Sequence, residues 1–273
     1  MTTSHHPNGF NLTRARSLGY YSQAAYEELP SDLPKAKMLE DVRFDTRVLV
    51  DERKGCITLA FRGTVSLQDW LIDLDVAKTS LAYRVAVHSG FLKAAEELFQ
   101  MLLAELLPAG ADKSALKSIY VTGHSLGGAL ATLVAFFLHR EGFPVAGVYT
   151  FASPRVGNAA WRRDYQRLLG AKTYRIIAQG DLVPLVPGLL DGYRHVGTEI
   201  MLERSGRVVA RPPHWHELLL DGVAYWNAAR KWDFAAVIQN HSLADDYLTL
   251  LNLAEENHRR FFNITGLAWN KYD

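Results

Sequence analysis

Apolar positions recur along this chain with two periods, and the elements they predict alternate. Helical spacing marks residues 13–28, with Ala15, Leu18, Ala24 and Ala25 as core positions. Arg47–Asp51 and Cys56–Phe61 read as strands joined through a hairpin turn at Glu52–Gly55. A helix is predicted over 90–107, a strand over 118–122 and an apolar helix over 126–140. A strand over 145–151, a helix over 158–169 and a buried strand over 174–178 follow. Tyr193–Leu202 and Arg207–Ala210 read as a late hairpin, and residues 245–260 as a closing helix. Strands alternating with helices predict an α/β fold, a central and mostly parallel sheet flanked by helices. No internal repeat or Ser/Gly-rich linker interrupts the pattern, so residues 13–273 are expected to form one domain behind a loose tail of residues 1–12.

Composition narrows the function. With 48% hydrophobic and 22% charged residues in 273, wholesale disorder is excluded. Thirty basic against 29 acidic side chains leave a net charge of +1, which excludes nucleic-acid binding by bulk attraction. The lone cysteine, Cys56, rules out an intramolecular disulfide and a cysteine-based zinc cluster. Residues 1–10 lack a basic segment followed by an apolar core, so the expected location is cytoplasmic, the alternative being export without a recognisable N-terminal signal. Residues 118–139 carry no Asp, Glu, Lys or Arg, yet Gly123–Ser125 and Gly127–Gly128 break the run. A strand, a turn and a helix explain that stretch better than a membrane span.

The candidate chemistry centres on Gly123-x-Ser125-x-Gly127, set between a buried strand and an apolar helix. A serine on a sharp strand-to-helix turn needs glycine neighbours, and its hydroxyl then stands at the sheet edge with helix amides beside it. Such a hydroxyl needs a base oriented by a carboxylate, in the order Ser, Asp, His along the chain. Asp181 follows the strand 174–178 and so reaches the same sheet edge, an address that Asp164, Asp191 and Asp221 lack. Among the downstream histidines, His195 sits in a strand pattern, His214 and His216 have the i, i+2 spacing of metal ligands without a third, and His258 lies on a charged helix face. His241, in a loop before a helix, is the best-placed base, although position alone leaves the choice open.

The blocks Ile57–Thr64, Gly123–Ala129, Gly180–Pro184 and His241–Tyr247 resemble the class 3 lipases, the fungal-type triacylglycerol lipase family with an α/β-hydrolase fold. The likeness runs from about Leu18 to Leu250. It implies Ser125 as nucleophile, Asp181 as acid and His241 as base. The implied oxyanion hole is the backbone amides of Thr64 and Leu126 with the Thr64 hydroxyl, held in turn by Asp73. Val87–Phe91 matches a further family block, with His88 read as structural. The segment 64–87 is similar to the family's small helical lid, and Leu67, Trp70, Leu71 and Leu74 make one apolar stripe on it. The stripe alone does not separate a lid from a surface helix packed on the core. Val183, Leu185, Val186, Leu189 and Leu190 fit an acyl-binding wall or, equally, plain core. The resemblance implies a lipid ester substrate, transient contact with a lipid–water interface, and no metal or organic cofactor. A soluble carboxylesterase, feruloyl esterase or phospholipase would use the same machinery, and a non-catalytic lipid-binding relative would keep the fold. Oligomeric state is not indicated.

Overall fold

The computed structural model describes residues 9–29, 31–53, 55–63, 77–82, 84–107, 117–211 and 241–265. Along the chain come α1 (Leu12–Ala24), β1 (Lys37–Asp41), β2 (Thr46–Arg53), β3 (Cys56–Phe61), β4 (Lys78–Ala82), β5 (Val85–His88) and α2 (Ser89–Leu106). Next are β6 (Ser118–His124), α3 (Leu126–Arg140), β7 (Val145–Phe151), α4 (Ala159–Leu168), β8 (Thr173–Ala178), β9 (Thr198–Leu202) and β10 (Val208–Arg211). A π-helical stretch, Leu243–Leu248, leads into α5 (Thr249–Thr265).

Eight strands form one sheet in the order β1-β2-β3-β6-β7-β8-β9-β10. β3, β6, β7, β8 and β9 run parallel, with antiparallel pairings only at the two edges. The parallel strands are apolar runs because helices cover both of their faces. Val121 and Val148 pack with α2, α3 and α4. Tyr149, Phe151, Tyr174 and Ile176 belong to the opposite core, with Leu18 of α1 and with Leu243, Tyr247 and Leu251 of the closing helices. α3 is buried on almost every side, which explains why its sequence carries no polar stripe. Phe136 on α3 meets Trp161 on α4 with ring centroids 4.8 Å apart, joining those two helices.

The boundaries differ from expectation where the chain turns. Residues 1–8 lie outside the described ones, but Phe10 is already buried against Tyr149 and Tyr174, and Asn11 caps α1. The loose tail therefore stops short of residue 10. β1 and the β4–β5 hairpin were not expected; the second half of the lid-like segment is that hairpin. Residues 193–197 are not strand, since Gly197 adopts φ +71° and β9 starts only after it. β9 pairs parallel to β8, so the segment 182–197 is a crossover that contains no long helix.

Candidate active site

The parallel strands end along one edge, where open α/β sheets place their ligand sites. β6 delivers Ser125 there. Its backbone sits at φ +57°, ψ −129°, a strained conformation for a residue with a side chain. Ser125 is nevertheless held in it, because its amide donates to the Phe151 carbonyl at 2.9 Å and α3 begins at Leu126. The elbow closes only over glycine: a methyl group on Gly127 would overlap the carbonyl of Phe61. Leu126 is the first residue of α3, so its amide has no acceptor within the helix and lies at the positive end of the helix dipole.

Asp181 follows β8, and its carboxylate is wholly buried yet fully engaged. Oδ1 accepts from the Val183 amide at 2.9 Å. Oδ2 accepts from the Tyr247 hydroxyl at 2.6 Å and from His241 Nδ1 at 2.9 Å. A carboxylate only accepts, so the neutral His241 ring carries its proton on Nδ1 and leaves the lone pair on Nε2. That Nε2 and the Ser125 Oγ are both buried, and neither has a hydrogen-bond partner among the described residues. Ser125 Oγ and His241 Nε2 are thus not hydrogen-bonded to each other in this structure. Burial and the adjacent Asp181 charge push the Tyr247 phenol well above its ordinary range, so it remains a proton donor to the carboxylate.

A second chain of hydrogen bonds ties the base to the elbow. His124 Nε2 donates to the backbone carbonyl of His241 at 2.9 Å, and the two rings lie 4.6 Å apart. The Tyr26 hydroxyl donates to His124 Nδ1 at 3.1 Å while accepting the Gly63 amide at 3.1 Å. Burial, followed by the proximity of His241, lowers the His124 pKa well below the usual histidine value, which keeps that ring neutral. Gly63 has no room for a side chain, since a Cβ would stand 2.5 Å from the Tyr26 hydroxyl and 2.8 Å from the His124 carbonyl oxygen. The end of β3, the elbow and the His241 backbone are therefore one network.

Of the sequence-derived residues, the structure brings Asp181 and His241 into hydrogen bond and sets His241 against the ring of His124, the neighbour of Ser125. Thr64, Asp73, Leu67, Trp70, Leu71 and Leu74 lie outside the described residues, as do His214 and His216. Val183 is buried in a short 3-10 turn, Leu185, Val186 and Leu189 are half-buried, and Leu190 is 88% exposed. The five thus differ widely in burial. His195 is not in a strand; it is buried in the crossover and its Nε2 donates to the Pro184 carbonyl at 2.7 Å. His88 caps α2, accepting the Phe91 amide at Nδ1. Sequence reasoning missed Tyr247, Tyr26 and the part played by His124. Among the described residues no group of three or more His, Cys, Asp or Glu is gathered as for a metal, and no helix is long and apolar enough to cross a membrane.

Residues 58–190 match the family model described as Lipase (class 3). The secreted mono- and diacylglycerol lipase 1 of Fusarium solani is 35% identical over 57% of this chain and 46% of its own length. Phospholipase A1-II 6 of Oryza sativa subsp. japonica is 32% identical over 65% and 54% respectively. The chain thus spans about half the length of the curated relatives it matches. The crystal structure of mono- and diacylglycerol lipase from Aspergillus oryzae superposes with a TM-score of 0.63 at 26% identity, covering 75% of this chain and 87% of that one. The sheet order and this likeness make the fold an α/β-hydrolase fold. The expected cytoplasmic location is corrected by the comparison: the Fusarium relative and two Penicillium ones are named as secreted, which points outside the cell. A single cysteine is a poor guide to compartment when the core is this large, because disulfides are needed chiefly where cores are small. The elbow at Ser125 and the family-model match over residues 58–190 agree: this stretch of the chain is similar to the class 3 lipases.

Proposed function

We propose that this protein is a carboxylic ester hydrolase acting on acylglycerols. The observation that carries the reading is a strained, buried Ser125 with an unengaged hydroxyl, together with a His241 whose ring lies against that of the neighbouring His124, whose Nδ1 is fixed on Asp181 and whose Nε2 is open. Ser125 Oγ attacks the ester carbonyl as His241 Nε2 takes its proton, and Asp181 stabilises the resulting imidazolium. The Leu126 amide, with the amide and hydroxyl of Thr64 oriented by Asp73, receives the charge that develops on the carbonyl oxygen. His241 then protonates the leaving alkoxide, and water repeats the sequence to release the fatty acid. The Leu67, Trp70, Leu71 and Leu74 stripe serves as the lid that meets a lipid–water interface.

Similarity to proteins named mono- and diacylglycerol lipases supports acylglycerols as substrates. Similarity to proteins named phospholipase A1 supports a second reading, in which the same site cleaves a phospholipid acyl ester. Ser125→Ala is expected to lower turnover of p-nitrophenyl esters by several orders of magnitude while the melting temperature holds, and to abolish labelling by a fluorophosphonate. Near-normal turnover in that variant would remove the nucleophile. Emulsified diacylglycerol against phosphatidylcholine separates the two substrate readings.

A further inference from the structure

α4 and the crossover between β8 and β9 flank an open surface cavity of about 410 Å³ lined by Ala159, Arg162, Arg163, Gln166 and Arg194. The first four fall at i, i+3, i+4 and i+7 and so share one face of α4. None of the five belongs to the ester site. Three bear guanidinium groups and none a carboxylate, although the whole chain carries a net charge of only +1.

The two walls are fixed. Arg194 Nη1 donates to the carbonyls of Leu189 at 3.0 Å and Tyr193 at 2.7 Å, which anchors its guanidinium from the crossover side. Gln166 Oε1 accepts the Gly197 amide at 2.5 Å, pinning α4 to the crossover. Three guanidinium groups gathered on one cavity offer several donors to an anion with several acceptor oxygens. The planar donor fork of arginine matches phosphate oxygens in pairs, which an isolated ammonium cannot do.

We propose that this cavity binds a phosphate oxyanion, either free or carried by the headgroup of an anionic phospholipid. The site is separate from ester cleavage, so its test reads binding first. The intact protein is titrated at low ionic strength with inorganic phosphate by calorimetry. It is also sedimented with vesicles of phosphatidylcholine alone or mixed with phosphatidylglycerol, because exposed charges are screened by salt.

Wild type is expected to bind phosphate, and Arg163→Glu to weaken that binding about tenfold or more, with melting temperature and fluorophosphonate labelling of Ser125 unchanged. Preference for phosphatidylglycerol vesicles, reversed by phosphate but not by chloride at equal ionic strength, identifies the headgroup as the source. Phosphate binding without vesicle preference identifies the free anion. The Arg162→Gln, Arg163→Gln double variant provides a milder second probe and is expected to lose binding likewise. Binding that is absent in wild type, or equal in wild type and both variants, overturns the proposal.

Discussion

Tyr247 stands on a helix 66 residues beyond Asp181, yet its hydroxyl is the shortest of the hydrogen bonds that hold the carboxylate. Removing it leaves Oδ2 with His241 alone and a small void where the oxygen was. Tyr247→Phe should lower kcat about tenfold with little change in KM, since the loss falls on a charge-assisted bond of roughly 1.5–3 kcal/mol that orients the base. Ester kinetics with melting temperature as control check this, and an unaltered kcat would show the carboxylate to be held well enough by the rest. The sequence marks Ser125 by its glycines and Asp181 by its place after a strand. Tyr247 ends the block His241–Tyr247, but nothing in the sequence gives it this role, because the contact depends on how a closing helix packs across the sheet. Tyr26 is hidden for the same reason, lying 98 residues from the His124 it serves.

Elements buried on both faces were the readable ones. β6, β7 and β8 are buried along almost their whole length, and α3 has apolar side chains all round. The edge strand β1 and the β4 strand of the hairpin are half exposed and polar, so neither produces a clear alternation. The crossover misleads in the opposite sense: Tyr193, His195 and Val196 are buried like strand residues, but the positive φ of Gly197 prevents pairing until Thr198. Element contacts also fix how tolerant each part is. Gly127→Ala forces a methyl group into the Phe61 carbonyl, where neither β3 nor α3 can give way. It is expected to destabilise the protein by about 3 kcal/mol or more, or to prevent folding, judged by urea unfolding. Gly142→Ala, on an exposed turn with open space around it, is the control and should cost much less, its φ of +84° notwithstanding.

For the molecule as a whole, two buried histidines set a response to acid. His124 and His195 are each held well below the ordinary value of 6.5, by burial first and then by neighbouring His241 and by Arg175 respectively. Unfolding releases both rings to ordinary values, so the unfolded chain takes up protons that the folded one refuses. Their contribution is complete above about pH 6.5 and is lost as pH falls below it, by about 1.4 kcal/mol per pH unit for each ring. Urea midpoints should therefore decline between pH 7 and pH 5, and less steeply in His195→Gln; equal slopes in the two proteins would remove His195 from the account. The widened coil at Leu243–Leu248 works over the same range of scale. One added residue turns everything after it by about 100°. The insertion that aims a phenol at the acid thus also chooses which side of Thr249–Thr265 rests on the body. Trimming it would unscrew the last helix and misalign the proton path in a single step.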